Sequence, residues 1–210
     1  MATTPTRPRH FSLLRSFALA DLITLGNAAC GAGAILFCLR YVAEGSRAAM
    51  WTALALLPVA VVADFLDGAV ARWRKKHSCL GADLDSLSDI VSFGVAPAVL
   101  GYALGLRGGW DMAALIYFVA CGISRLARYN ATAEDLADES GKVSHYEGTP
   151  IPTSLVLVAV LGVAFGLGRV HDALWWGQLT FFGATLHPLV LLYVASGSAM
   201  ISGTLRIPKP

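Results

Sequence analysis

Charge is scarce in this chain of 210 residues: only 14% are Asp, Glu, Lys or Arg, and 56% are hydrophobic. Soluble domains carry about 25% charged residues, so this shortage excludes an ordinary soluble fold. Cysteine is sparse and unpatterned. Cys30, Cys38, Cys79 and Cys121 form no CxxC or Cys/His ligand spacing, which speaks against a disulfide framework or a zinc site. Nor do the five histidines, His10, His77, His145, His171 and His187, have a partner at ligand spacing; His77 and His145 read as solvated loop residues or phosphate contacts. A strong basic balance is missing too. The net charge is +2 and the pI about 8.4, with the basic residues in short clusters between apolar segments, so no nucleic-acid partner is expected. Internal repeats and low-complexity tracts are absent, and residues 1–22 lack the long apolar core and small-residue cleavage site of a removable signal peptide.

Apolar runs fill the space left by these absences. The mean hydropathy is +0.61, and six runs read as spans, at 20–42, 50–72, 85–106, 110–130, 151–168 and 175–200. Each approaches the roughly 20 apolar residues that a bilayer-crossing helix needs. The last contains His187-Pro188 and reads as one kinked helix or two shorter ones. The expectation is an all-α integral membrane protein of about six transmembrane helices, a single catalytic domain over residues 1–210. Residues 1–19 are basic, either an interfacial amphipathic segment or a flank of the first span. The sizeable polar stretch, 131–150, reads as a loop long enough to be functional. With six spans both termini share one side, which then holds 12 of the 16 basic residues; Arg40, Arg47, Arg107 and Arg169 lie opposite. The positive-inside rule puts both termini in the cytoplasm and the protein in the cytoplasmic membrane.

Against this apolar background four aspartates stand out. Asp64 and Asp67 are three residues apart and Asp85 and Asp89 four apart, so on helices each pair projects from one face. Antiparallel helices joined by the loop near 73–84 bring the pairs together at the cytoplasmic face. An aspartate at the centre of a membrane helix costs about 2.5–3.5 kcal/mol, and four together repel, so a cation belongs between them. Oxygen-only ligation suits Mg²⁺, Mn²⁺ or Ca²⁺ over zinc or copper. Gly68 and Ala71 keep the helix surface open to a ligand, Arg72 offers a planar fork for phosphate, and Gly81 lets the chain turn into the next helix or pack tightly against a ligand. The competing readings are helix caps paired to Arg72, Arg74, Lys75 and Lys76, and a metal-ion transporter, although a transporter places its carboxylates near the bilayer midplane.

The pattern D-x2-D-G-x2-A-R-x8-G-x3-D-x3-D, filled by Asp64, Asp67, Gly68, Ala71, Arg72, Gly81, Asp85 and Asp89, resembles the signature of the CDP-alcohol phosphotransferases. The resemblance implies that family's fold with a six-helix core, a homodimer, and two divalent ions held by Asp64, Asp67, Asp85 and Asp89. It implies a CDP-linked lipid donor, Asp89 as general base on the acceptor hydroxyl, and CMP as leaving group.

Further segments resemble the serine-transferring branch of the family: Leu22-Ile-Thr24-Leu-Gly-Asn27, Ser92-Phe-Gly94-Val-Ala-Pro97, Ser124-Arg125-Leu-Ala-Arg128-Tyr-Asn130, Tyr146-Glu147-Gly148-Thr149-Pro150-Ile-Pro152 and Arg206-Ile-Pro. The chain departs from that pattern at Ala20 and Asp21, where proline and asparagine are expected. The implied substrates are CDP-diacylglycerol and L-serine, among membrane lipids. Glycerol 3-phosphate or an inositol phosphate is the alternative acceptor. Arg125 and Arg128 suit the serine carboxylate or lipid headgroups. Glu147 suits the ammonium or loop organisation. Asn130 is a serine contact or a helix C-cap, and Gly148, Pro150 and Pro152 are loop punctuation or site residues. Thr24 and Asn27 are donor contacts or interhelical hydrogen-bonding groups.

Overall fold

The structure is a computed structural model describing residues 19–74, 81–133, 145–202 and 206–208. The N-terminal basic segment, His10, His77 and most of the 131–150 stretch lie outside the described residues.

Seven helices dominate the described residues. Helices α1 (Leu19–Glu44) and α2 (Arg47–Arg74) form a long antiparallel hairpin turned by two residues, with Gly45 at φ +67°. Helix α3 (Gly81–Asp89) runs without a break into a π-helical turn, Ile90–Val95, and then into α4 (Ala96–Leu104). Helix α5 (Gly109–Ala133) returns, and α6 (Leu155–Gly166) and α7 (Leu191–Ile201) complete the set, each entered through a short 3-10 turn. Four segments, Ala20–Glu44, Arg47–Val70, Gly81–Leu104 and Gly109–Ala131, are long and apolar enough to cross a membrane. Ile151–Gly166 and Pro188–Ile201 are apolar but shorter, about 24 and 21 Å at 1.5 Å per residue, against about 30 Å of hydrocarbon.

Two expectations are corrected here. The run at 175–200 is neither one helix nor two. Its first half folds as a β-hairpin, β2 (Leu179–Phe181) against β3 (Ala184–Leu186), and only its second half is helical. The protein is therefore mostly helical, not all-α. A second two-stranded ladder joins β1 (His145–Glu147) to β4 (Arg206–Pro208), with Glu147 opposite Arg206 in register. Two segments widely separated in the sequence are thus neighbours. Gly148 follows at φ +75°, where a Cβ would strike the Met200 carbonyl, and Thr149 N donates to Ala199 O at 3.2 Å. Gly148 therefore docks the loop onto the end of α7.

The inner faces pack around Phe93, Leu100, Phe118, Leu161, Phe165 and Tyr193, all buried. The Phe118 and Tyr193 rings meet edge to face at 5.2 Å, and the Tyr193 hydroxyl donates to Pro97 O at 2.6 Å, satisfying a polar group where no water reaches. The outer faces invert the soluble pattern. Val59, Val62, Phe65 and Leu66 on α2 and Ile116 and Ile123 on α5 are exposed, as expected of surfaces that meet lipid.

Candidate active site

The site forms where α1, α2 and α3 meet. Asp64 and Asp67 point inward from the last third of α2 while Phe65, between them, is 71% exposed. Asp85 and Asp89 occupy one side of α3, with Leu87 turned outward. Asp64, Asp67 and Asp85 each bring a carboxylate oxygen within 4.8 Å of the others. Asp89, buried, ends α3 and is held separately: Asn27 Nδ2 donates to its Oδ1 at 3.1 Å. The two carboxylate pairs read from spacing thus resolve into a cluster of three and one aspartate engaged by an amide.

Helix α1 acts as a polar clamp on both carboxylate helices. Thr24 Oγ1 donates to Asp67 Oδ2 at 2.6 Å, also lying 3.1 Å from Ala20 O, and Asn27, one turn on, reaches Asp89. A further turn along, Gly31 sits against the π-helical turn, where a Cβ would lie 2.7 Å from the Ser92 Cα. Ser92 Oγ donates to Asn27 O at 2.9 Å. Thr24, Asn27 and Gly31 recur at helical spacing and fix α1 on α2 and α3. Asp89 and Ser92, three residues apart where α3 runs into the π turn, both contact Asn27 of α1.

Two buried acceptors here, Asp85 Oδ1 and Asn27 Oδ1, have no hydrogen-bond partner among the described residues. Leaving such a group unsatisfied costs about 1–3 kcal/mol. Three converging carboxylates with an orphaned oxygen fit a hard divalent cation, because oxygen-only donor sets suit Mg²⁺, Mn²⁺ or Ca²⁺.

Other expected residues fall around this centre. Gly68 is half-buried beside Asp67, and Gly81 opens α3. Ala71 and Arg72 lie in the last turns of α2, one to two turns past Asp67, and their side chains are outside the described residues, as is that of Glu147. Arg125 on α5 is 9% exposed, its guanidinium 5.9 Å over the Tyr129 ring. Arg128 is exposed, and its Nη2 donates to Ile201 O at 3.4 Å, the last residue of α7. Asn130 is not a helix C-cap, since α5 continues to Ala133. Its Nδ2 donates to Ser86 Oγ at 3.0 Å, and its Oδ1 lies 3.2 Å from the same hydroxyl. Asn130 therefore ties α5 to the helix turn that carries Asp85 and Asp89. Sequence reasoning missed Ser86 and Gly31, and met Ser92 only as the start of a resembling segment with no role attached. Their signal was polar or minimal residues on the faces of apolar helices that also carry Asp89 and Asn27.

Fold and site together define a mostly helical membrane protein whose described residues include four helices long and apolar enough to cross a membrane, with a carboxylate cluster of the kind that suits a hard cation toward one end of them. The sequence matches the CDP-alcohol phosphatidyltransferase family over residues 17–186, and the chain belongs to that family. It is 40% identical over 208 residues to CDP-diacylglycerol–serine O-phosphatidyltransferase of Saccharomyces cerevisiae, an alignment covering 96% of this chain and 74% of that protein. It is 35% identical over 182 residues to the Mycobacterium leprae protein of the same name, covering 84% and 56%. With the archaetidylserine synthase of Methanothermobacter thermautotrophicus the identity is 36% over 145 residues, covering 68% and 56%. The chain spans just over half the length of the last two relatives.

Proposed function

We propose that this protein transfers the phosphatidyl group of CDP-diacylglycerol to the hydroxyl of L-serine, giving phosphatidylserine and CMP. The observation that carries the reading is the separation of Asp89 from the Asp64, Asp67 and Asp85 cluster by its amide contact, a base set beside a cation site. Relatives named for serine transfer support the acceptor.

Asp64, Asp67 and Asp85 would hold Mg²⁺ or Mn²⁺, two ions being expected with Asp89 as a further ligand; bound there, they neutralise phosphate oxygens and stabilise the leaving phosphate. Asp89 takes the serine hydroxyl proton as the serine oxygen bonds to the phosphorus bearing diacylglycerol. The bond from that phosphorus to the CMP phosphate oxygen breaks, and CMP departs with the electron pair. Asn27 aims Asp89 by donating to Oδ1, and its free Oδ1 accepts a donor group of the bound substrates. Thr24 orients Asp67. Gly68 and Ala71 leave room for the nucleotide at α2, Gly81 does so at the start of α3, and Arg72 pairs with donor phosphate. The buried Arg125 fork holds the serine carboxylate, Arg128 and Asn130 brace the acceptor side through α7 and α3, and Glu147 is the carboxylate assigned to the ammonium. The protein sits as a multi-pass homodimer in the cytoplasmic membrane with this site facing the cytoplasm, a reading supported by the charge bias and the family resemblance.

The test is purified protein with CDP-diacylglycerol and serine, glycerol 3-phosphate or inositol phosphate, following CMP and lipid product with Mg²⁺, Mn²⁺ or excess chelator. The expected result is metal-dependent CMP release with serine alone. Release with glycerol 3-phosphate but not serine defeats the acceptor assignment, and no release with any acceptor defeats the enzyme.

A further inference from the structure

We propose that the cleft at the opposite end of the helices, between the α4–α5 turn and the β2–β3 hairpin, binds the headgroup of an amine-bearing phospholipid in the far leaflet. Its phosphate would lie against Arg107 and its ammonium against Asp172.

The cleft has a volume of about 630 Å³ and is lined by Arg107, His171, Asp172, Gln178, Thr185 and His187. Gly105, which also lines it, follows Asp85 by 20 residues along α3, the π turn and α4, about 30 Å of rise, or one hydrocarbon thickness. The cleft therefore lies at the other membrane interface. Aromatic residues gather at this end. Trp51, Trp110, Trp175 and Trp176 stand at or beyond the far ends of the helices, and only the fifth tryptophan, Trp73, belongs to the aspartate end. Tryptophan favours the headgroup level of a bilayer. The hairpin extends this belt: Trp176 is 68% exposed, and Phe182, at the tip with φ +50°, is 93% exposed. A bulky residue in that conformation is unfavourable where glycine or asparagine is the usual choice. An aromatic ring held out in this way has its compensation in the interface.

The walls of the cleft are built rigidly. Asp111, fully buried on α5, accepts from Gly108 N at 2.8 Å, from His187 N at 2.8 Å and from His187 Nδ1 at 2.6 Å. One carboxylate thus locks the α4–α5 turn to the strand leaving the hairpin. A Cβ on Gly108 would strike the Thr185 carbonyl, so the two segments touch backbone to backbone. On the other wall the His171 ring stacks with Tyr41 at 6.1 Å, its Nε2 3.3 Å from the Tyr41 hydroxyl.

The charges in the cleft are of both signs and do not pair. Among the described residues the ion pairs are Arg40–Glu44 and Asp111–His187, so Arg107 and Asp172 border the same space without joining. Arg107 is held in place, Nε donating to Tyr102 O at 3.1 Å and Nη2 to Ala103 O at 3.3 Å, with its guanidinium 5.4 Å over the Tyr102 ring. Burial and the nearby Arg107 charge push the His171 imidazole below its ordinary range, against the pull of Asp172. The cleft thus presents one anchored cation, Arg107, and one exposed carboxylate, Asp172, beside polar donors and acceptors. A simple anion would satisfy only half of it. A phosphodiester followed two carbons later by an ammonium satisfies both, while its acyl chains lie among the exposed apolar residues of the hairpin and α5.

The experiment titrates the detergent-solubilised full chain with dihexanoyl phosphatidylethanolamine, dihexanoyl phosphatidylglycerol or inorganic phosphate, following tryptophan fluorescence. The expected result is saturable binding with preference for the amine lipid. Arg107→Ala weakens both lipids by roughly tenfold, the loss of one charge-assisted contact, and Asp172→Asn erases the preference for the amine. Both variants keep the CMP release of the parent protein, so this outcome is independent of whether serine is the acceptor. Unchanged lipid affinity in Arg107→Ala, or phosphate binding as tightly as lipid, overturns the proposal. Should Arg107→Ala not fold, a preference that survives Asp172→Asn overturns it alone.

Discussion

Asn27 gives Asp89 its direction, and this single contact separates two roles that the sequence left open for the amide. A residue that merely grips the nucleotide would affect donor affinity, whereas one that aims a base affects the chemical step. Asn27→Ala should therefore lower kcat by roughly 10–100-fold, the usual loss when a residue orienting a functional group is removed, with little change in the KM for CDP-diacylglycerol. Asp89→Asn should abolish turnover while measurable donor binding remains, because Asp64, Asp67 and Asp85 still stand together. A rise in donor KM at constant kcat in Asn27→Ala would return the residue to the nucleotide. On α5 the arginines divide similarly. Arg125 is buried and Arg128 is spent on the end of α7. Arg125→Ala should raise the apparent KM for serine by roughly tenfold, as expected for a lost charge-assisted contact, while the donor KM holds. Unaltered serine dependence would remove Arg125 from the acceptor site.

At the scale of elements, the π-helical turn Ile90–Val95 and the Thr24, Asn27 and Gly31 face of α1 depend on one another. The turn brings Ser92 so close that position 31 has no space for a side chain, the obstruction being the Ser92 backbone itself. Gly31→Ala should lower stability by about 1–3 kcal/mol, the cost of overpacking, seen as a reduced melting temperature in detergent, and turnover should fall with it because Asn27 shifts away from Asp89. A variant as stable and active as the parent would show that α1 is free to move. The carboxylate pairs on α2 and α3 were legible from spacing alone, since three- and four-residue intervals on helices leave little freedom in where side chains project. The distinct place of Asp89 came only from the family resemblance, because the contacts with α1 that set it apart are encoded by no local pattern. The hairpin was hidden for another reason. Hydrophobicity over 175–200 satisfies a span, yet Leu179-Thr180-Phe181 and Ala184-Thr185-Leu186 alternate around Phe182-Gly183, a two-residue turn signal that the apolar count outweighed. Likewise Glu147 and Arg206, read as separate motif fragments, are opposed in one ladder, a relation that only the return of α7 creates.

For the whole molecule, the contacts at each end of the helices determine which segments share a side. Thr24 meets Asp67 near the start of α1, Asn130 meets Ser86 near the end of α5, and Arg128 meets Ile201 at the end of α7, so both ends of the described chain lie with the aspartates. Tyr41, Arg107 and His171 gather at the other end. The charge bias read from the sequence, twelve basic residues expected on the side of the aspartates and four opposite, predicts by the positive-inside rule that the aspartates face the cytoplasm. A membrane-impermeant maleimide measures this directly in a chain whose four native cysteines are replaced. Ala82→Cys, exposed at the start of α3, should label only in inside-out vesicles, and Ala173→Cys, exposed beside the far cleft, only in right-side-out ones. The reverse pattern would place the site outside, and labelling of both from one side would mean that the helices do not cross the bilayer as their lengths and apolar faces require. The proposed cytoplasmic orientation would have a chemical consequence as well: a water-soluble amino acid and released CMP would exchange with the cytoplasm while donor and product lipids stay in the adjoining leaflet, so turnover would require no polar substrate to enter the hydrocarbon.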